Sequence, residues 1–292
     1  MTDPESRPRW SVEQRLAYLE RRLYWDGQIN RGDLTDYFSI SVPQASADIS
    51  AYESLAPGNL YYDKSARAYL ISPKFSPRSE PNARQYLSQL QLIADGVLAV
   101  EESWLGRVPR YGIVPRVRRK LAAPILRQVV EAIHTKSALR IEYQSVSSDE
   151  ASKRWVVPHA LGFDGNRWHV RGWCHRREKF LDFVLARVID VIDRREEEFD
   201  TSADLAWHRK AFVRLGPNTA LSQATQRAVA LDFGMEAGVV EIEVRLSLIY
   251  YFSRQMLFDV AHSLPAERVQ VILLNKDELN AQLAEVDEAP II

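Results

Sequence analysis

The chain has 292 residues, 46% of them hydrophobic, and near-balanced charge, with 38 Lys and Arg against 39 Asp and Glu. That length is enough for two or three domains with cores of their own. Its single cysteine, Cys174, excludes an intramolecular disulfide framework and a cysteine-based zinc site. The opening MTDPESRPRW lacks the apolar run of a signal peptide, and no segment approaches the roughly 18 apolar residues of a membrane span. The expectation is a soluble, cytoplasmic protein with no membrane partner.

In WSVEQRLAYLERRLYWDG, Ser11 can cap a helix whose apolar residues, Leu16, Leu19, Leu23 and Tyr24, recur near the helical period, and Gly27 ends it. A second short helix fits residues 31–38. A third begins after Ser41, with Pro43 in its first turn where a missing amide proton costs least. Two short strand-like runs, 60–62 and 67–71, then flank the turn-prone DKSA. Three helices followed by a hairpin is the winged helix-turn-helix order, expected over residues 1–72. Its third helix supplies the candidate base readers Gln44, Ser46 and Ser50, with Ala45 offering a methyl to thymine. Lys64 and Arg67 suit contacts from wing to phosphate. Charge argues back: residues 1–72 hold eight bases and ten acids, whereas many DNA-binding modules are plainly basic. Distribution can offset this if Asp48 and Glu53 face inward while Arg7, Arg9, Arg31 and Arg67 gather on the DNA side. A winged helix that only contacts protein is the competing reading.

Residues 73–136 read as a hinge and a helical connector or dimerisation region. SPKFSPRSEPNA is a loop by its prolines and serines. From Arg84 to Leu105 an apolar stripe through Leu87, Leu90, Ile93 and Val97 predicts a helix that packs on the central domain or on a second subunit. GRVPRYGIVPRVRRKLAAPILR then carries Arg107, Arg110, Arg116, Arg118, Arg119, Lys120 and Arg127 without one acid. It neutralises phosphate, or it is a connector paired with acidic surfaces elsewhere. A further helix, 124–135, leads into the next domain.

Residues 137–199 read as short strands of a small, strongly bent antiparallel sheet, with the Asp-Gly-Asn at 164–166 as a tight turn. In the strand 167–174 a period of two puts Trp168, Val170 and Cys174 on one face and Arg167, His169 and Arg171 on the other. Between Lys153 and Arg187 stand eight bases against three acids, a local positive field that attracts an anion. Gatekeeping charges on a sheet edge are the alternative. Arg187 lies inside LARVIDVI, where a buried arginine needs a carboxylate, a phosphate or water.

This segment resembles the WYL domain of bacterial transcriptional regulators. Trp168-His169-Val170 stands where the family has Trp-Tyr-Leu, preceded by Pro158 and Gly162 and followed by Leu185-Ala186-Arg187-Val188. The resemblance implies an Sm-like small β-barrel that senses a ligand, often a nucleotide or nucleic acid. Tyr143, Ser145, His169, Arg171 and Arg187 are then the lining of the ligand pocket. With the winged helix in front, the chain resembles the autoregulatory repressors found beside phage-defence systems such as BREX and CBASS, which work as homodimers on inverted repeats.

After a linker-like stretch, 200–231, residues 232–292 hold eleven acids and four bases. The order strand, helix, strand, helix makes a small α+β module resembling the WCX extension that follows WYL domains. Its charge suits a partner subunit or a shield over a basic pocket rather than DNA. The six histidines show no zincin spacing, and no phosphate-binding loop or nucleophile elbow is present. No catalytic residue, metal site or cofactor is therefore expected.

The fold class is α+β and multidomain: winged helix-turn-helix, helical linker, small β-barrel and a C-terminal α+β domain. The functional expectation is a homodimeric repressor that binds an inverted repeat in double-stranded DNA and answers to an anionic effector, a nucleotide or short nucleic acid. An accessory RNA- or single-stranded-DNA-binding protein, its winged helix used for protein contacts, is the alternative.

Overall fold

The computed structural model describes residues 11–115, 117 and 119–291. Arg7, Arg9, Arg116 and Arg118, assigned above to phosphate, lie outside the described residues. The chain divides into two units, residues 1–116 and 117–292.

In the first unit, α1 (Val12–Asp26) starts at Ser11, which exchanges capping bonds with Gln14, and stops at Gly27, whose φ of 73° suits glycine. β1 (Gln28–Ile29) leads to α2 (Arg31–Phe38), boxed at its start by Asn30 and Asp33, and to α3 (Val42–Leu55), capped by Ser41. The wing is β2 (Leu60–Asp63) and β3 (Ala68–Ile71), and β1 joins it in a sheet of order β1-β3-β2. Leu19, Leu23, Leu34, Ile49 and Tyr52 are fully buried between the helices. The loop after the wing is pinned to α1. Buried Glu20 accepts hydrogen bonds from the Tyr52 hydroxyl (3.0 Å) and from the amides of Arg78 (2.9 Å) and Ser79 (3.1 Å).

α4 (Ala83–Ala94) is shorter than its apolar stripe suggests. Gly96 adopts a φ of 63° and the amide of Val97 turns back to the Leu92 carbonyl, so the helix expected to reach Leu105 ends at Ala94 and only a 3₁₀ turn (Val100–Glu102) follows.

The second unit opens with α5 (Ala123–Thr135), laid across a five-stranded antiparallel sheet of order β7-β6-β5-β4-β8. Its strands are β4 (Ser137–Tyr143), β5 (Ser152–Phe163), β6 (Trp168–Cys174), β7 (Lys179–Val184) and β8 (Val188–Glu196). Register shifts in β4 against β8, and at Pro158/Ala160 in β5 against β6, bend the sheet around a core of Ile125, Val129, Leu139, Ile141, Val170 and Phe183. The Asp-Gly-Asn turn forms as expected, with Gly165 at a φ of 88°. Trp168 departs from the core face assigned by alternation. Beside the turn it is 51% exposed and its ring lies tilted against that of Phe163, 4.9 Å between centroids. The run around Arg187 is not one buried strand either, because a 3₁₀ turn (Leu185–Arg187) breaks it and Ile189 and Ile192 are exposed.

The stretch 200–231, expected to be a linker, is structural. After α6 (Leu205–His208) it supplies β9 (Lys210–Pro217), the middle strand of the last sheet, and α7 (Gln223–Asp232). β10 (Val240–Arg245), α8 (Leu246–Gln255), β11 (Val271–Leu273) and α9 (Lys276–Ala284) complete the module, in sheet order β10-β9-β11. Val213, Leu215, Ile249, Leu279 and Leu283 form its core.

Candidate nucleic-acid interface and sensor face

α3 buries the stripe Ala45, Ile49, Tyr52, and this fixes the face it shows to solvent. Gln44, Ala47 and Ser50 are exposed and Ser46 is half-buried. Ala45 is corrected as a thymine reader: it has no exposed surface and packs in the core, whereas Ala47, which the helical period from Gln44 and Ser50 could have picked out, presents its methyl outward. Asp48 does face inward, buried and bonded by Arg15 at 2.6 and 3.0 Å. Glu53 does not; it is exposed. The Ser46 hydroxyl donates to the Val42 carbonyl (3.0 Å), while Gln44 donates its amide N–H to Asp48 (3.1 Å).

The wing tip is shaped by Asp63, whose carboxylate accepts from the amides of Ser65 (2.7 Å) and Ala66 (2.8 Å). Arg67 takes a φ of 53°, and both it and Lys64 stand exposed. Arg31 donates to the Tyr69 hydroxyl (3.1 Å) beside exposed Tyr62, adding a cation and two aromatic rings at the same sheet.

In the second unit, of the five residues expected to line a pocket, Tyr143 lies on one face of the sheet and His169 and Arg171 on the other. Val170 faces the core that also holds Tyr143, so its neighbours His169 and Arg171 face the other way. They are buried there, 3% and 4% exposed, and already bonded. Arg171 donates to Asp204 through Nε (2.8 Å) and Nη2 (2.9 Å), to Glu288 (2.9 Å), and lies 3.5 Å from Asp182. His169 meets Asp164 at 3.0 Å and the ring of Tyr251 at 4.7 Å. Burial alone raises a carboxyl, but for Asp164 the bonds from His169, Arg167 and two backbone amides outweigh it, as Arg171 and His159 do for Asp204. Both sit well below the usual carboxylate range. Asp182 and Glu288, near the same guanidinium, go the other way, because their desolvation exceeds what Arg171 returns.

On the opposite side, the Tyr143 hydroxyl accepts from the Val184 amide (3.2 Å) and its ring stands edge-on to Phe183. Arg154, which the pattern had only counted as a charge, lies over both rings at 5.4 and 5.8 Å. Its Nε is buried without a hydrogen-bond partner, and it has no ion pair among the described residues. Half-buried Arg187 likewise has none, and its carbonyl accepts from the Gln144 amide next to Ser145. No group of side chains suited to holding a metal ion occurs among the described residues.

A winged helix-turn-helix, a bent five-stranded sheet and a closing α+β module define a multidomain transcriptional regulator. Three family models match in that order: the BrxR transcriptional regulator winged helix-turn-helix domain over residues 11–92, the WYL domain over 124–192, and the BrxR C-terminal dimerization domain, where a WCX-like extension was expected, over 211–279. The chain is 38% identical over 96% of its length to a DNA-binding transcriptional repressor CapW of Stenotrophomonas maltophilia, covering 95% of that protein. CapW of Pseudomonas aeruginosa is 39% identical over 93% of the chain and 91% of its own, and that of Escherichia coli (strain KTE188) 38% over 94% and 93%. The chain belongs to the CapW family of repressors.

Proposed function

We propose that the protein is a homodimeric, sequence-specific DNA-binding repressor, acting without a catalytic step in the cytoplasm. It represses its own or an adjacent phage-defence operon by binding an inverted repeat. The observation that carries this reading is the open face of α3, Gln44, Ala47 and Ser50, together with the exposed cations Lys64 and Arg67 on the wing of the same unit. Relatives named as repressors along almost the whole chain support it. Among the described residues, no helix is long and apolar enough to cross a membrane. For the effector, Tyr143, Ser145 and Arg187 are joined by Arg154. Two half-buried arginines without acid partners can make charge-assisted bonds to a phosphate, whereas His169 and Arg171 already spend theirs on carboxylates.

The test is a titration of wild type, Gln44→Ala and Arg67→Ala against the duplex upstream of the protein's own gene and a scrambled duplex at several salt concentrations. Gln44→Ala loses about 1–3 kcal/mol on the cognate duplex alone, because base contacts specify and phosphate contacts position. Arg67→Ala weakens both duplexes and flattens the salt slope by about one. Equal losses on both duplexes for Gln44→Ala would remove α3 as the reader. Light scattering should find a dimer, free and on DNA. The cation-free face of α3 also fits a protein-contact role, and a chain that binds single strands or RNA but no duplex establishes that second reading.

A further inference from the structure

α3 contains neither lysine nor arginine, and this limits what it can read. In the major groove guanine shows two acceptors and calls for a cationic fork or point donor. Adenine pairs an acceptor with a donor and suits a carboxamide, and thymine offers a methyl group. Over its N-terminal turns, the part of a recognition helix that meets base edges, the outward surface of α3 holds one carboxamide, Gln44, one hydroxyl that is not bonded back into its own helix, Ser50, and the aliphatic surface of Val42, Pro43 and Ala47, while the exposed Glu53 and Leu55 stand at its C-terminal end. Ser46 and Ser54 both donate to carbonyls one turn earlier, which satisfies their protons. Arg15, the cation nearest this face by bonding, is 7% exposed and committed to Asp48.

The Gln44 amide is also pre-set. Asp48 only accepts, so the group that faces it at 3.1 Å has to be the amide nitrogen, which settles which way the carboxamide is flipped. Asp48 is itself fixed by two bonds from buried Arg15. One N–H of Gln44 is thereby engaged, and its oxygen and second N–H remain as a donor and acceptor edge, the complement of adenine N6 and N7.

We propose that the operator half-site presents A·T pairs to α3, an adenine to Gln44 and thymine methyls to Val42 and Ala47, with Arg15 and Asp48 as the positioning pair for Gln44. This rests on the DNA-binding reading above and adds to it the class of sequence that is read. The experiment is selection by the full-length protein from duplexes randomised over about three helical turns, repeated with Gln44→Ala, followed by replacement of each thymine of the selected half-site with deoxyuridine. Wild type enriches half-sites with adjacent A·T pairs. In Gln44→Ala one adenine preference, roughly 5- to 150-fold, collapses while the flanking preferences persist. Each methyl removed under Val42 or Ala47 weakens wild-type binding about fourfold. A guanine or cytosine at the position released by Gln44→Ala overturns the inference and leaves the repressor reading standing, as does indifference to deoxyuridine, an arm that needs no variant to fold. Failure to enrich any duplex overturns both.

Discussion

Within the five-stranded sheet domain, arginines stand in opposite circumstances. On one face of the sheet, Arg171 is enclosed by Asp204, Asp182 and Glu288. On the other, Arg154 lies over Tyr143 and Phe183 with no ion pair among the described residues, and Arg187, in the 3₁₀ turn before β8, has none either. A count of eight bases against three acids between Lys153 and Arg187 describes both sides alike. What separates them is the acids brought in from residues 204 and 288, outside that window. A cation met by carboxylates is a structural latch, and a half-buried cation without them is the one that the proposal above assigns to an effector.

The largest effect that can break this contrast is at Asp204. It is 2% exposed, holds Arg171 by two bonds, meets His159 at 2.9 Å and caps α6. Asp204→Ala removes two bonds from buried Arg171, the partner of His159 and the cap of α6 together, and should cost about 3–5 kcal/mol in urea unfolding at fixed protein concentration. A loss below about 1 kcal/mol would mean that the cluster does not latch the module.

Glu288 should behave in the opposite sense. Its folded carboxyl is raised above the unfolded value, so its favourable contribution is complete below that value, about 4.3, and disappears as pH climbs through the raised one. Glu288→Gln is therefore expected to be at least as stable as wild type at pH 8, with the two converging as pH falls toward about 4.3. Asp164 and Asp204, whose carboxyls are lowered, contribute stability above about 3.9 and lose it in more acid solution. Denaturation curves at several pH values check both signs, and a Glu288→Gln variant that is less stable at pH 8 than at pH 5, relative to wild type, contradicts the first.

The smallest effect on stability belongs to Arg187. Arg187→Ala should shift unfolding by no more than about 0.5 kcal/mol, yet abolish any response of operator affinity to a short single-stranded oligonucleotide or a nucleotide. Linkage demands that operator DNA change the affinity for that effector by the same factor. A folded variant with the full response takes Arg187 out of the mechanism.

Local chemistry was legible in the sequence. Ser11, Ser41, Gly27 and the Asp-Gly-Asn turn act within three or four residues, and each stands where its side chain or its tolerance of positive φ predicts. The phase of α3 was legible as well, since Ala45, Ile49 and Tyr52 form one buried stripe, and that stripe argues against Ala45 as a base reader. β9 carries an alternating signal, Ala211, Val213, Leu215, but its outward Lys210 and Arg214 and the Gly216-Pro217 that follows gave it the look of a linker. What sequence could not give was the partner of a buried charge. Glu20 fastening the amides of Arg78 and Ser79, and Asp204 and Glu288 converging on Arg171, are decided by packing across tens of residues or more.

Those separations also set an order of events as the chain folds. The five-stranded sheet is closed by β8, which ends at Glu196, and its hydrophobic core needs nothing beyond that strand. Arg171 takes a carboxylate 33 positions away in Asp204 and another 117 positions away in Glu288. Until those later segments are made, Arg171 has only Asp182 of the sheet itself for a carboxylate partner, and its set is completed by Glu288, which follows α9. Long loop closures of this kind come late and slowly, so the carboxylate cluster around Arg171 is among the last features of the second unit to close.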